Sequence, residues 1–90
     1  MPYIALQGWA QDWDQWQRVL AETRAQRQSM GIKSEQVFRS IEDPTAGIVL
    51  FEFDDVEQGR EVLLSSQAQQ SRQRAGVRGV RIYVPAEGLC

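Results

Sequence analysis

The spacing of apolar positions changes several times along the chain, and each change marks the edge of an element. Tyr3 to Trp9 (YIALQGW) is short, β-prone and apolar on both faces near its start, which predicts a central strand. From Asp12 the spacing becomes helical. On a wheel turned by about 100° per residue, Trp13, Trp16, Val19, Leu20 and Met30 fall on one face. Asp12 is placed to cap this helix, Gln15 three residues on makes a variant of the capping box, and Asp14 lies in the first turn, where the helix dipole favours an anion. The helix is expected to run to Met30 and stop at Gly31, which takes the left-handed conformation without strain. Thr23 and Arg27 fall in the middle of its apolar face.

Ser34 to Glu42 and Gly47 to Asp54 read as a second and third strand, joined by turn residues Asp43-Pro44-Thr45-Ala46. Setting Glu42 opposite Gly47 puts Phe38, Val49, Phe51 and Phe53 on one face. Val37, Arg39, Ile41, Ile48, Leu50 and Glu52 then share the other, with Arg39 and Glu52 as a cross-strand diagonal pair. A one-residue slip in the turn would re-pair these sets. Asp55 caps a short helix with Val56, Arg60, Leu63 and Leu64 to one side. Ser65 and Ser66 interrupt it, and Ser66 with Gln69 has capping-box spacing, so a separate helix is expected to run to Arg74. Val80 to Val84 alternates as the last strand, with Arg81 and Tyr83 on one side and Pro85 ending the pairing.

The order is β-α-β-β-α-β. With right-handed crossovers it gives an α+β, ferredoxin-like domain spanning residues 1–90: a four-stranded antiparallel sheet, first and third strands central, both helices on one face. Helices cover only that face. The other would expose Ile41, Ile48, Leu50 and their neighbours, more apolar surface than monomers usually tolerate, so a homodimer packed through the open sheet face is expected. A chain of 90 residues buries only about two-thirds of its unfolded surface, which also favours a partner subunit.

Composition narrows the chemistry. Hydrophobic residues at 42% and charged residues at 24% exclude wholesale disorder. A net charge of −2 argues against nucleic acid or an anionic membrane as partner. With no histidine and one cysteine, zinc, haem-histidine and Cys/His nucleophile chemistries lose their ligands or bases. No signal-peptide pattern or membrane-length apolar run is present, so a cytoplasmic location is expected. Cys90 lacks the helix terminus or cation that would activate a thiol, and is expected to be exposed and functionally silent.

Several segments together resemble the dimeric α+β barrel superfamily, which includes the antibiotic-biosynthesis-type monooxygenases and small aromatic polyketide cyclases. They are Asp12-Trp13-Asp14-Gln15-Trp16, Met30-Gly31, Val37-Phe38-Arg39-Ser40 with Asp43-Pro44, Phe51-Glu52-Phe53-Asp54-Asp55, Leu63-Leu64-Ser65-Ser66 and Ala75-Gly76-Val77. The resemblance implies a dimer built by facing sheets and a ligand pocket between the helices and sheet of each subunit. It also implies cofactor-free oxygenation or ring-forming condensation. Two departures stand out. The haem-degrading branch needs a histidine, and the cofactor-free oxygenases use Asn, Trp and Arg in the pocket; this chain has neither histidine nor asparagine. In the last short helix, Gln69 and Arg72 stand where the pattern has Leu and Met, giving that wall a polar character.

Each candidate residue has a structural reading beside the functional one. Arg27 could hold an enolate or other oxyanion, or an internal ion pair; Tyr83 could donate a proton, or simply hydrogen-bond at the sheet edge. Trp13 and Trp16 could stack on an aromatic substrate, or fill the core. Thr23, Gln69 and Arg72 could line the same site, although the structural reading of Arg72, like that of Arg74, is a solvated cation. Two functional classes follow. One is a cofactor-free cyclase or monooxygenase for an aromatic or polyketide-like substrate. The other is a non-catalytic dimer that binds a small apolar metabolite or acts as a scaffold. No metal and no cofactor is called for by either.

Overall fold

The computed structural model describes residues 2–86, in the order β1 (Tyr3–Trp9), α1 (Trp13–Glu22), α2 (Arg24–Ser29), β2 (Ser34–Arg39), β3 (Ala46–Glu52), α3 (Val56–Leu64), α4 (Ser66–Arg74) and β4 (Arg78–Tyr83). The strands form one antiparallel sheet in the order β2-β3-β1-β4, so β1 and β3 are central as predicted. Cys90 lies outside the described residues.

Side-chain alternation on the two central strands decides which face the helices cover. Ile4, Leu6, Val49 and Phe51 are each no more than 3% exposed, and Phe53 just beyond β3 is fully buried. They share one core with Trp13, Trp16 and Val19 of α1 and Leu63 of α3. The approach is closest at Gly59, where an added Cβ would stand 2.5 Å from Ile4 and 2.7 Å from Phe53. Any side chain there would lift α3 off the sheet, so glycine is a packing requirement of this helix.

The opposite face has no helix. It presents Tyr3, Phe38, Ile48 and Tyr83, all at least 38% exposed, with Leu50 half-buried among them. Beside them, Trp9 lies over Gly79, whose φ of +64 sits next to an irregularity in the β1–β4 ladder.

Two predictions about the first half need correction. First, β2 pairs with β3 through Arg39↔Gly47, Val37↔Val49 and Glu35↔Phe51. The expected pairing of Glu42 with Gly47 is displaced by three residues, an odd number, so every β2 side chain changes face. Phe38 belongs to the open face with Ile48, while Val37 and Arg39 join the helix side. Arg39 and Glu52 therefore do not pair. The Arg39 guanidinium lies 4.9 Å over the Trp13 ring and donates to Pro44 O (2.7 Å), while Glu52 accepts from Ser34 Oγ (2.9 Å). Ile41 falls beyond the strand and is 99% exposed.

The cause is local. Ser40 Oγ accepts from the N–H groups of Glu42 (3.2 Å) and Asp43 (3.0 Å), and Asp43 Oδ1 accepts from Thr45 N (3.0 Å) and Oγ1 (2.6 Å). These bonds give the backbone an alternative to the ladder, so the loop starts at Ser40 rather than Asp43. The Thr45 hydroxyl and N–H also hold the Asp43 carboxyl below its usual pKa.

Second, the first helix is not continuous. Thr23 ends α1 at φ −98 and ψ 4, and its Oγ1 donates to Val19 O (2.8 Å). In the second helical stretch the cap is Ser65, one residue earlier than predicted: its Oγ accepts from Ala68 N (3.2 Å), and α4 begins at Ser66.

Candidate functional site

A cleft opens between the two helical arms and the sheet. Leu6, Val49 and Phe51 form its floor, Trp16 and Leu20 one wall, and Val62 and Leu63 the other. Its polar groups gather at the rim: Thr23, Gln26 and Arg27 on the α1/α2 side, Gln67, Ser71 and Arg72 on the α4 side. The space left for the centres of water-sized molecules is about 60 Å³. One water needs roughly 10–15 Å³ by that measure, so the cleft has room for about four to six waters or the ligand that displaces them.

Arg27 lies on the rim, but four of its five N–H donors are taken. Nε and Nη2 form a two-pronged pair with the Glu35 carboxylate (Nη2–Oε1 2.8 Å), Nη1 donates to Thr23 Oγ1, and Nη2 also donates to Leu20 O (2.6 Å). The two side chains are 12% and 8% exposed. The guanidinium thus bridges the break at Thr23, satisfies a carbonyl of the last turn of α1, and ties both helices to the edge strand. Of its two readings, the ion pair is the one present.

Arg72 stands differently. Its side chain is half-buried, Nη2 donates to Leu63 O (2.9 Å), and among the described residues no carboxylate lies within salt-bridge distance. Burial lowers its pKa from the usual arginine range, as expected for a cation losing water without gaining a counter-ion. The neighbouring Arg74 is exposed and pairs with Glu22 (3.2 Å).

The other predicted site residues divide. Trp16 and Thr23 line the cleft. Trp13 does not: it is buried beside Trp16 (ring centroids 4.9 Å apart) and against Gly47, and its Nε1 has no partner among the described residues. Gln69 is exposed and turns away to donate to Leu64 O (3.1 Å). Tyr83 is on the opposite face of the sheet, where its hydroxyl donates to Gln7 Oε1 (2.9 Å). Arg27 and Tyr83 are therefore not brought together. Glu35 was missed in the sequence because the expected register hid which face it occupies; pairing it with Phe51 puts it on the helix side. Gln67 and Ser71 were also missed, and the helical spacing from Arg72 back through Ala68 was the signal that could have found them.

Among the described residues no group of three or more His, Cys, Asp or Glu is placed to hold a metal ion, and no helix is long and apolar enough to cross a membrane. Among the described residues the lining of the cleft contains neither Asp nor Glu, and the chain has no histidine.

Comparison of the sequence with known family models and with curated proteins gives no match. Solved structures do match in fold. SnoaB, a cofactor-independent oxygenase from Streptomyces nogalater, superposes with a TM-score of 0.73 at 10% identity, over 93% of this chain and 89% of that one. A protein from Bordetella bronchiseptica provisionally named an antibiotic biosynthesis monooxygenase gives 0.71 at 15% identity, over 94% and 96%. Rv0793 from Mycobacterium tuberculosis gives 0.59 at 17% identity, over 96% and 94%. The fold of this chain is therefore the ferredoxin-like α+β fold that these solved structures share.

Proposed function

We propose that two copies of the chain pair through their open sheet faces, and that the cleft of each subunit binds a small apolar or aromatic metabolite and promotes its cofactor-free oxygenation or cyclisation. The observation that carries this reading is the cleft itself, apolar on floor and walls with its polar groups at one rim. That is the usual build of a small-molecule site. The fold shared with SnoaB agrees with it.

The chemistry open to these residues is electrostatic. An enolisable substrate held with its oxygen at Arg72 has its enolate stabilised by a guanidinium in poorly solvated surroundings. Dioxygen can then add at the activated CH2 to give a hydroperoxide, which loses water to leave a carbonyl. If the substrate carries its own electrophile, the same enolate closes a ring instead. Arg27 has no part in this step, since Glu35 already neutralises it. With Tyr83 behind the sheet, the proton comes from water at the rim. Trp16 packs against the substrate body.

The test combines native mass spectrometry with an oxygen electrode. Freshly purified protein should show a dimer mass with a retained small molecule. It should also speed oxygen uptake by 1,3-indanedione, a bicyclic whose central CH2 ionises near neutral pH. A monomer mass would overturn the sheet-to-sheet pairing. Uptake no faster than without protein, together with an empty cleft, would overturn the catalytic reading. A retained ligand without uptake would leave a binding protein.

A further inference from the structure

Two arginines line one apolar cleft, and only one of them is neutralised. The charges near the cleft can be followed pair by pair. Arg27 is cancelled by Glu35 through two charge-assisted bonds. Arg24 also approaches Glu35, at 3.7 Å, but is 57% exposed and screened by solvent. Arg74 and Glu22 are both exposed and pair with each other. Lys33 pairs with Asp54 (3.1 Å), and neither residue lines the cleft. What remains at the rim is the single positive charge of Arg72, half-buried, with one bond to a backbone carbonyl and no counter-ion among the described residues.

We infer that the cleft selects a monoanion: a compact apolar or aromatic body bearing one oxyanion, a carboxylate or an acidic enol or phenol, with the charged oxygen on Arg72. This rests on the cleft being a ligand site and specifies the class of ligand. Two further observations support it. First, among the described residues the lining offers no Asp or Glu to take up a proton, and the chain has no His, so the ligand arrives already ionised rather than being deprotonated inside. Second, Arg72 has a planar set of five N–H donors, and among the described residues only Nη2 is engaged, which leaves donors for a ligand oxyanion. A dianion would leave one charge uncompensated among Leu20, Val62 and Leu63, and a cation would face Arg72 directly.

Calorimetric titration of the full-length protein with 2-naphthoate, 2-naphthamide and 2-naphthylmethylamine tests this, because the three share one body and differ in charge. Naphthoate should bind about tenfold or more tightly than the amide, as expected for a hydrogen bond to an ionised group over a neutral one. The amine should bind weakest. In Arg72→Gln the acid and amide should bind alike, while Arg72→Lys should keep part of the preference; circular dichroism verifies that each variant is folded. Equal binding of acid and amide to the native protein would overturn the charge selection and leave the cleft reading intact. So would a preference that survives in Arg72→Gln. Failure of all three ligands to bind would overturn the cleft as a ligand site, and the selection with it. The titration needs no oxygen, so failure to catalyse oxygenation does not affect it.

Discussion

Each wall of the cleft is a helix interrupted by a hydroxyl residue, and each interruption is followed by an arginine that reaches back across it: Thr23 and Arg27 in one wall, Ser65 and Arg72 in the other. Both arginines donate to a leucine carbonyl of the preceding helix, Leu20 O for Arg27 and Leu63 O for Arg72. The surroundings then separate them. The α1/α2 wall faces the edge strand β2, which supplies Glu35; on the α4 wall Arg72 has no carboxylate within salt-bridge distance among the described residues. Similar local devices thus give a closed ion pair on one side and an available cation on the other. The teaching is that an arginine's role is set by what the neighbouring strand supplies, not by the helix that carries it.

The largest effect should come from breaking the closed side. Arg27→Met leaves the Glu35 carboxylate nearly buried without its two-pronged partner, and should cost about 3 kcal/mol of unfolding free energy in urea. The exposed Arg24 offers only a partial substitute at 3.7 Å. Adding Glu35→Leu to the same chain removes the orphaned charge and should restore most of the loss, because a buried pair can often be replaced as a unit by apolar residues. A single substitution that costs under about 0.5 kcal/mol, the size of an ordinary surface change, would mean that the pair does not hold this wall.

A smaller effect should separate the two interruptions. Ser65 is a true cap, with Oγ accepting from Ala68 N and donating to Val62 O (2.7 Å), so Ser65→Ala should cost about 1 kcal/mol by thermal melting. Thr23 makes no cap bond to a backbone N–H; its Oγ1 serves Val19 O and Arg27, and Arg27 keeps Glu35 and Leu20 O without it. Thr23→Ala should therefore cost less than Ser65→Ala. The reverse order would show that the Thr23 hydroxyl, rather than the ion pair, organises the first break.

How far these walls were legible in the sequence follows the range of the interactions. The central strands could be read from the apolar runs around Ile4, Leu6, Val49 and Phe51, the residues that the helices bury. The Asp12 and Asp55 caps were readable because they act over two or three residues: Asp12 accepts from Gln15 N and Asp55 from Glu57 N, each at 3.0 Å. The β2 register was not readable. It depends on where Ser40 and Asp43 start the loop, and one odd step moved Glu35, Val37, Phe38 and Arg39 to the wrong faces. The site inherited that error. With Glu35 assigned to the open face, the ion-pair reading of Arg27 had no named partner, and Tyr83 was given a part in the same chemistry although the sheet lies between them. Arg72 was recognisable as a departure in a polar helix, but its half-burial depends on how α4 packs, which spacing alone does not reveal.

The smallest expected effect is the one that bears most on the cleft. Arg72→Met should change unfolding free energy by no more than about 0.5 kcal/mol. Two terms oppose each other. The substitution removes the bond to Leu63 O, worth about 1 kcal/mol net for an average hydrogen bond. It also removes a half-buried charge whose lowered pKa records the desolvation it suffers in the fold. Methionine can also pack its flexible stem along the wall formed by Val62 and Leu63, which offsets part of the lost bond. The same urea titration used for Arg27→Met puts the two arginines on one scale. A difference of several-fold between them is the signature of one structural cation and one available cation. If Arg72→Met instead costs as much as Arg27→Met, both arginines hold the fold together, the walls are equivalent, and the rim has no spare charge for a ligand.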